Sequence, residues 1–213
     1  MKSQQKIVIF STIGLILFFI ISGSVYKHFQ TSEIENMAKL NQSLLEREYS
    51  LSIGNKDAKV HLVEFFDPAC GTCAQFKPLV DKIMNNHKGK IRLTLRYAPF
   101  HRGSDYIVRI LEAARKQGKF NETLDMFFAT QRYWASHEGP KTQVIWSFLP
   151  KLGLNIEQLQ QDMKNPEIDK IIAQDLADGK VLGANKTPAF FVNGKPLQHF
   201  GYEQLKELIN SEL

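Results

Sequence analysis

Only two cysteines occur in the 213-residue chain, Cys70 and Cys73, and they form a Cys-x-x-Cys pair. A disulfide between them would close almost no loop, so it removes little chain entropy and makes a poor structural staple. The pair is therefore read as reactive. Before it runs Val60-His61-Leu62-Val63-Glu64-Phe65-Phe66, β-prone and apolar enough for a central strand buried on both faces. After it Phe76, Leu79, Val80, Ile83 and Met84 recur at helical spacing, and Pro78 is expected to kink that helix. Cys70 thus stands where a strand gives way to a helix N-terminus, and unpaired amides with the helix dipole favour an anion there. Such positions lower a thiol pKa, in related motifs to roughly 3.5–7.5, and the thiolate is the form that attacks a disulfide. Cys70 is the expected nucleophile. Cys73, one turn further in, is placed to resolve the mixed disulfide.

The rest of the chain sets the architecture. Residues 91–97 (IRLTLRY) read as a second, alternating strand, and 55–59 as a turn. Residues 103–116, 121–134, 142–152, 156–164 and 166–182 then read as helices, with Asn155 and Asn165 in N-cap position and Pro166 at a first helical residue. The aromatic residues here, Phe120, Phe127, Phe128, Trp134, Trp146 and Phe148, are assigned to core packing. Strand character returns at 189–192, followed by the hairpin signal Asn193-Gly194, a partner strand at 195–198 and a terminal helix. The order is βαβ, a helical block at about 103–183, then ββα. An α/β fold spanning residues 51–213 is expected.

Ahead of this domain, residues 7–25 (IVIFSTIGLILFFIISGSV) carry no charge and approach the length that spans a bilayer core. Lys2 and Lys6 precede the run, so the rest of the chain is expected outside the cytoplasm, in an oxidising compartment. Ser22-Gly23-Ser24 would suit cleavage, but the run is long for a signal peptide, and residues 1–28 are read as an uncleaved signal anchor in the inner membrane. Residues 29–50 are read as a linker in which 32–48 form an amphipathic helix, first a stalk or a helix packed on the domain and second a short self-association contact for a homodimer.

The formal charge of +5 does not point to nucleic acid, because with Lys2, Lys6 and Lys27 set aside the balance is 24 basic against 22 acidic residues. No metal site is expected. His61, His87, His101, His137 and His199 are scattered without ligand spacing, although His101 would border the cysteines if the second strand ends beside them. A soft-metal binding or delivery protein using Cys70 and Cys73 is the alternative from a different class.

The stretch VEFFDPACGTCAQFKP (residues 63–78) resembles the active site of thioredoxin-fold disulfide oxidoreductases, nearest the DsbA-like branch, and the resemblance covers roughly residues 50–213. It implies a thioredoxin fold with an inserted all-helical domain, no cofactor, and an enzyme acting on unfolded, cysteine-containing exported proteins. A membrane redox partner would recycle the cysteines. It places Glu64 where the family keeps a buried acid that moves protons. It places Thr187-Pro188 at the family's cis-proline loop, which with Gly71 and Thr72 would bind substrate by strand addition. Gly71-Thr72 stand where efficient oxidases of the branch carry Pro-His, and Thr before the proline is commoner in isomerase-like relatives. Oxidase is the first reading, isomerase or reductase the second.

Overall fold

The computed structural model describes residues 13–23, 25–26 and 42–213. The chain divides at residue 40, with 41–213 as one compact unit. Residues 13–23 and 25–26 are helical and exposed. Among the described residues no helix is long and apolar enough to cross a membrane, and the expected span at 7–25 lies partly outside them.

In the larger unit the elements run α1 (Gln42–Leu45), β1 (Leu51–Gly54), β2 (Val60–Phe66), α2 (Gly71–Asn86), β3 (Ile91–Tyr97), α3 (Ser104–Lys116), α4 (Phe120–Trp134) and α5 (Thr142–Phe148). A 3₁₀ turn (Leu149–Leu152), α6 (Ile156–Asp162), α7 (Glu167–Val181), β4 (Ala189–Val192), β5 (Lys195–Pro196) and α8 (Tyr202–Glu212) complete it. The strands form one sheet in the order β1-β3-β2-β4-β5. β2 and β3 are parallel, as a βαβ crossover requires, and the other pairings are antiparallel.

β2 lies at the sheet centre, and Val60, Leu62, Val63 and Phe65 have no exposed surface. That burial is why its sequence is a continuous apolar run. The helix α2 lays Phe76, Val80 and Ile83 on one face of the sheet and continues through Pro78. On the other face Val63, Phe65 and Phe191 pack with Ala184 and with Leu45 from α1.

Several expectations need correction. β3 does not alternate between core and solvent; it is buried along nearly its whole length because it lies between β1 and β2. The strand β1 was not foreseen at all. The helix expected to run to residue 48 ends at Leu45, and the part before Gln42 lies outside the described residues. Leu45 is buried in its own domain, which leaves it unavailable to a second copy. The helix expected over 142–152 changes to 3₁₀ at Leu149, where Pro150 cannot supply an amide. The hairpin partner strand stops at Pro196, although the Leu197 amide still donates to Phe190 O. Asn155 caps α6 by accepting from the Gln158 amide, and Asn165 accepts from the Glu167 amide at the start of α7.

The break after Leu45 has a polar cause. Arg96 of β3 is wholly buried on the back face and donates to Asp175 (2.8 Å), to Asp178 (2.6 Å) and to the Leu44 carbonyl (2.5 Å). Arg47 reaches the same Asp178, Tyr49 donates to Asp175, and Glu46 pairs with Arg92. The segment after α1 thus leaves the helix for a turn closed by the Ser50 amide on the Arg47 carbonyl, with Arg47 and Tyr49 bound to acids of α7 and Glu46 to β3. Removing one partner of a buried ion pair typically costs about 3–5 kcal/mol, since the other charge stays buried. Asp175→Ala should destabilise the domain by that order in urea unfolding, and a loss below about 1 kcal/mol would refute the structural weight given to this cluster.

Candidate active site

The first turn of α2 leaves amides without helical partners, and Cys70 occupies its N-cap with extended backbone (φ −78°, ψ 121°). The amides of Thr72 and Cys73 face the Cys70 sulfur. From the opposite side comes the loop before β4, where the Thr187-Pro188 bond is cis and Thr187 O lies 3.2 Å from Cys70 Sγ. The structure therefore brings Cys70 and Cys73 of one helix start together with Thr187, 117 residues further along the chain. Pro188 is buried, Thr187 and Thr72 are half-buried, and Gly71 is exposed.

The two thiols have opposite electrostatics. The Cys70 pKa is lowered to about 5, by a hydrogen bond from Cys73 first, against the opposing effect of burial, then by Thr187 and the α2 amides. The Cys73 thiol is pushed far above the ordinary range, by burial first and then by its bond to Cys70 and the nearby Glu64. Glu64 lies within the sheet, 4% exposed, and burial raises its pKa to about 8 against the opposing charge of Lys77. At pH 7 its carboxyl is mostly protonated.

Three contributors were not anticipated. Lys77, one turn beyond Cys73, is held by Asp81 (2.6 Å) and Asp125 (3.0 Å) and supplies the positive charge near Glu64. Phe200 is half-exposed yet stacked on Phe76 at 4.7 Å between centroids. It borders a groove of about 580 Å³ with Thr72, Thr187, Pro188, Leu182 and Leu197. Asp67 is buried ahead of the cysteines; the Asp67-Pro68 turn signal could have marked it. Among the described residues no group of three or more His, Cys, Asp or Glu is arranged to hold a metal ion.

Residues 46–211 match the family model described as Thioredoxin. An Na(+)/H(+) antiporter NhaA of Herminiimonas arsenicoxydans is 32% identical over 145 residues, covering 68% of this chain but only 22% of the antiporter. The chain thus spans about a fifth of the length of that relative. A Bacillus anthracis protein described as "Probable disulfide bond formation protein D" is 26% identical over the full chain and 99% of its own length. The crystal structure of a thioredoxin-like oxidoreductase from Silicibacter pomeroyi superposes with a TM-score of 0.68 at 30% identity, covering 79% of this chain and 95% of that one. The thiol-disulfide exchange protein alpha-DsbA2 of Wolbachia pipientis gives 0.71 at 17% identity, covering 85% of this chain and 97% of that one, a likeness of fold.

With Cys70 near 5, iodoacetamide alkylation of the reduced chain should rise through about pH 5 and level off by neutrality, with Cys73 unmodified. A midpoint near the free-thiol value of ~8.5 would contradict the site geometry. The same ionisation stabilises the reduced form fully above ~8.5, the unfolded value, and that contribution is lost as the pH falls through about 5.

Proposed function

Because the chain belongs to the thioredoxin family, among its DsbA-like thiol–disulfide oxidoreductases, we propose that it forms disulfides in exported proteins through Cys70 and Cys73. The observation that carries this reading is the split between the two thiols, one held as a thiolate at a helix N-terminus and the other buried and protonated. In the oxidised enzyme a substrate thiolate attacks Cys70 Sγ, the Cys70–Cys73 bond breaks, and Cys73 leaves as a thiolate. Its high proton affinity demands a proton at once, and the protonated Glu64 beside it is the donor. A second substrate thiolate then attacks the sulfur of the substrate cysteine held in the mixed disulfide, Cys70 departs unprotonated, which its low pKa makes easy, and Glu64 regains its proton from solvent. The substrate leaves with a new disulfide, the enzyme with a thiolate and a thiol. An electron acceptor, by the family resemblance a membrane redox partner, must restore the Cys70–Cys73 bond.

Thr187 and Pro188 hold the substrate backbone beside Cys70, with Gly71 and Thr72 on the other side, and the groove edged by Phe200 receives apolar side chains of an unfolded chain. Running the steps backwards makes the enzyme a reductase or isomerase, and the missing imidazole at Thr72 favours that direction relative to a strong oxidase. The uncharged residues 7–25 behind Lys2 and Lys6 tether the catalytic domain on the extracytoplasmic side of the membrane.

Oxidative refolding of a reduced, unfolded protein by the full-length chain, retained in alkaline-washed membranes, tests this reading. Cys70→Ser should abolish turnover, Cys73→Ser should accumulate the mixed disulfide through Cys70, and Glu64→Gln should slow turnover by about 10²-fold. Full activity in Cys70→Ser, or stoichiometric copper or zinc on the purified reduced protein, would favour a metal-carrying role instead.

A further inference from the structure

Asp67 and His101 take no part in the exchange derived above, yet they meet at the base of the redox loop. Asp67 has no exposed surface, and a carboxylate in that position must be met by donors. Its Oδ1 accepts the Ala69 amide, and its Oδ2 accepts both the His101 amide and the ring Nδ1, each at 2.8 Å. As donor, Nδ1 carries a hydrogen. The His101 side chain is itself half-exposed. His101 lies just beyond β3, so these bonds tie the far end of the βαβ unit to the loop that carries the cysteines. Both cysteines in turn rest on the backbone of Asp67. The Cys70 amide donates to the Asp67 carbonyl at 3.0 Å, and the Asp67 amide faces the Cys73 sulfur. On the next residue, Gln131 of α4 donates to the Pro68 carbonyl at 3.1 Å.

The structure assigns Asp67 as a positioning residue for the Cys70–Cys73 pair, fixed by a clamp from His101 that favours the reduced form over the disulfide. The contacts it aligns are those of the reduced state, in which both cysteines are free. A sulfur that carries a proton or charge of its own accepts an amide hydrogen bond better than one shared in a disulfide, so aligning the Asp67 amide on Cys73 acts mainly after reduction. The inference rests on the redox reading of the pair. Reduction by glutathione balances as two glutathiones giving two electrons and two protons, one proton staying on Cys73, the other leaving to solvent while Cys70 remains a thiolate.

The test is equilibration of the full chain with glutathione buffers, for wild type, His101→Ala and His101→Asn, together with the melting temperature of the oxidised and reduced form of each. His101→Ala removes only the ring bond from a half-exposed position, so the fold should survive. It should shift the equilibrium about tenfold toward the disulfide, a potential ~30 mV more negative, and lower the melting temperature of the reduced form more than that of the oxidised form. His101→Asn, which keeps a side-chain N–H donor, should fall between the two. Equal melting losses in both forms with the equilibrium within twofold of wild type would overturn the positioning role while leaving the redox reading intact. A wild-type pair that does not cycle reversibly between dithiol and disulfide would overturn the redox reading itself, and this inference with it.

Discussion

An anion at the first turn of α2 is the interaction on which the site depends. The amides of Thr72 and Cys73 have no helical carbonyl to bond, and the Cys70 sulfur supplies the negative charge they face. For this to work the helix must start where it does, and its start is dictated by β2. The strand is buried along its length, so it cannot be displaced without exposing Val60, Leu62, Val63 and Phe65. The turn at Asp67-Pro68-Ala69 then delivers Cys70 just beyond the C-terminal end of this central strand, and the loop at Thr187 closes over it.

The same burial produces the asymmetry of the pair. Cys73 points inward from α2 toward a sheet position occupied by Glu64, where neither an isolated thiolate nor an isolated carboxylate is well solvated. Charge is thus directed outward onto Cys70 and protons are retained inward. The back of the sheet follows a different rule. There the buried charges of Arg96, Asp175 and Asp178 are matched to one another, and the matching extends to Arg47 and Tyr49 ahead of β1. The polypeptide entering the domain is therefore anchored by ion pairs on the face opposite α2.

What the sequence disclosed follows from how local each signal is. The β2–α2 junction was legible because a continuous apolar run and a 3.6-residue period need no distant partner to be recognised. β1 was not, since Leu51–Gly54 is four residues long and gains its strand identity only by pairing with β3. Arg96 looked like the solvent face of an alternating strand; its partners Asp175 and Asp178 lie 79 and 82 residues away, beyond the reach of any periodicity. Thr187, 117 residues from Cys70, could be singled out only through the family resemblance of the proline loop. Asp67 and His101 were each visible as residue types, but their bond depends on where β3 ends.

The reduction potential of the wild-type Cys70–Cys73 pair bears most directly on the claim that the stabilised Cys70 thiolate makes this chain a disulfide donor. A nucleophile near pKa 5 lies between thioredoxin at about 7 and the strong oxidant DsbA at about 3.5, and the potential should likewise fall between about −270 and −120 mV. A value at or below about −270 mV would contradict the account and make the protein a reductant.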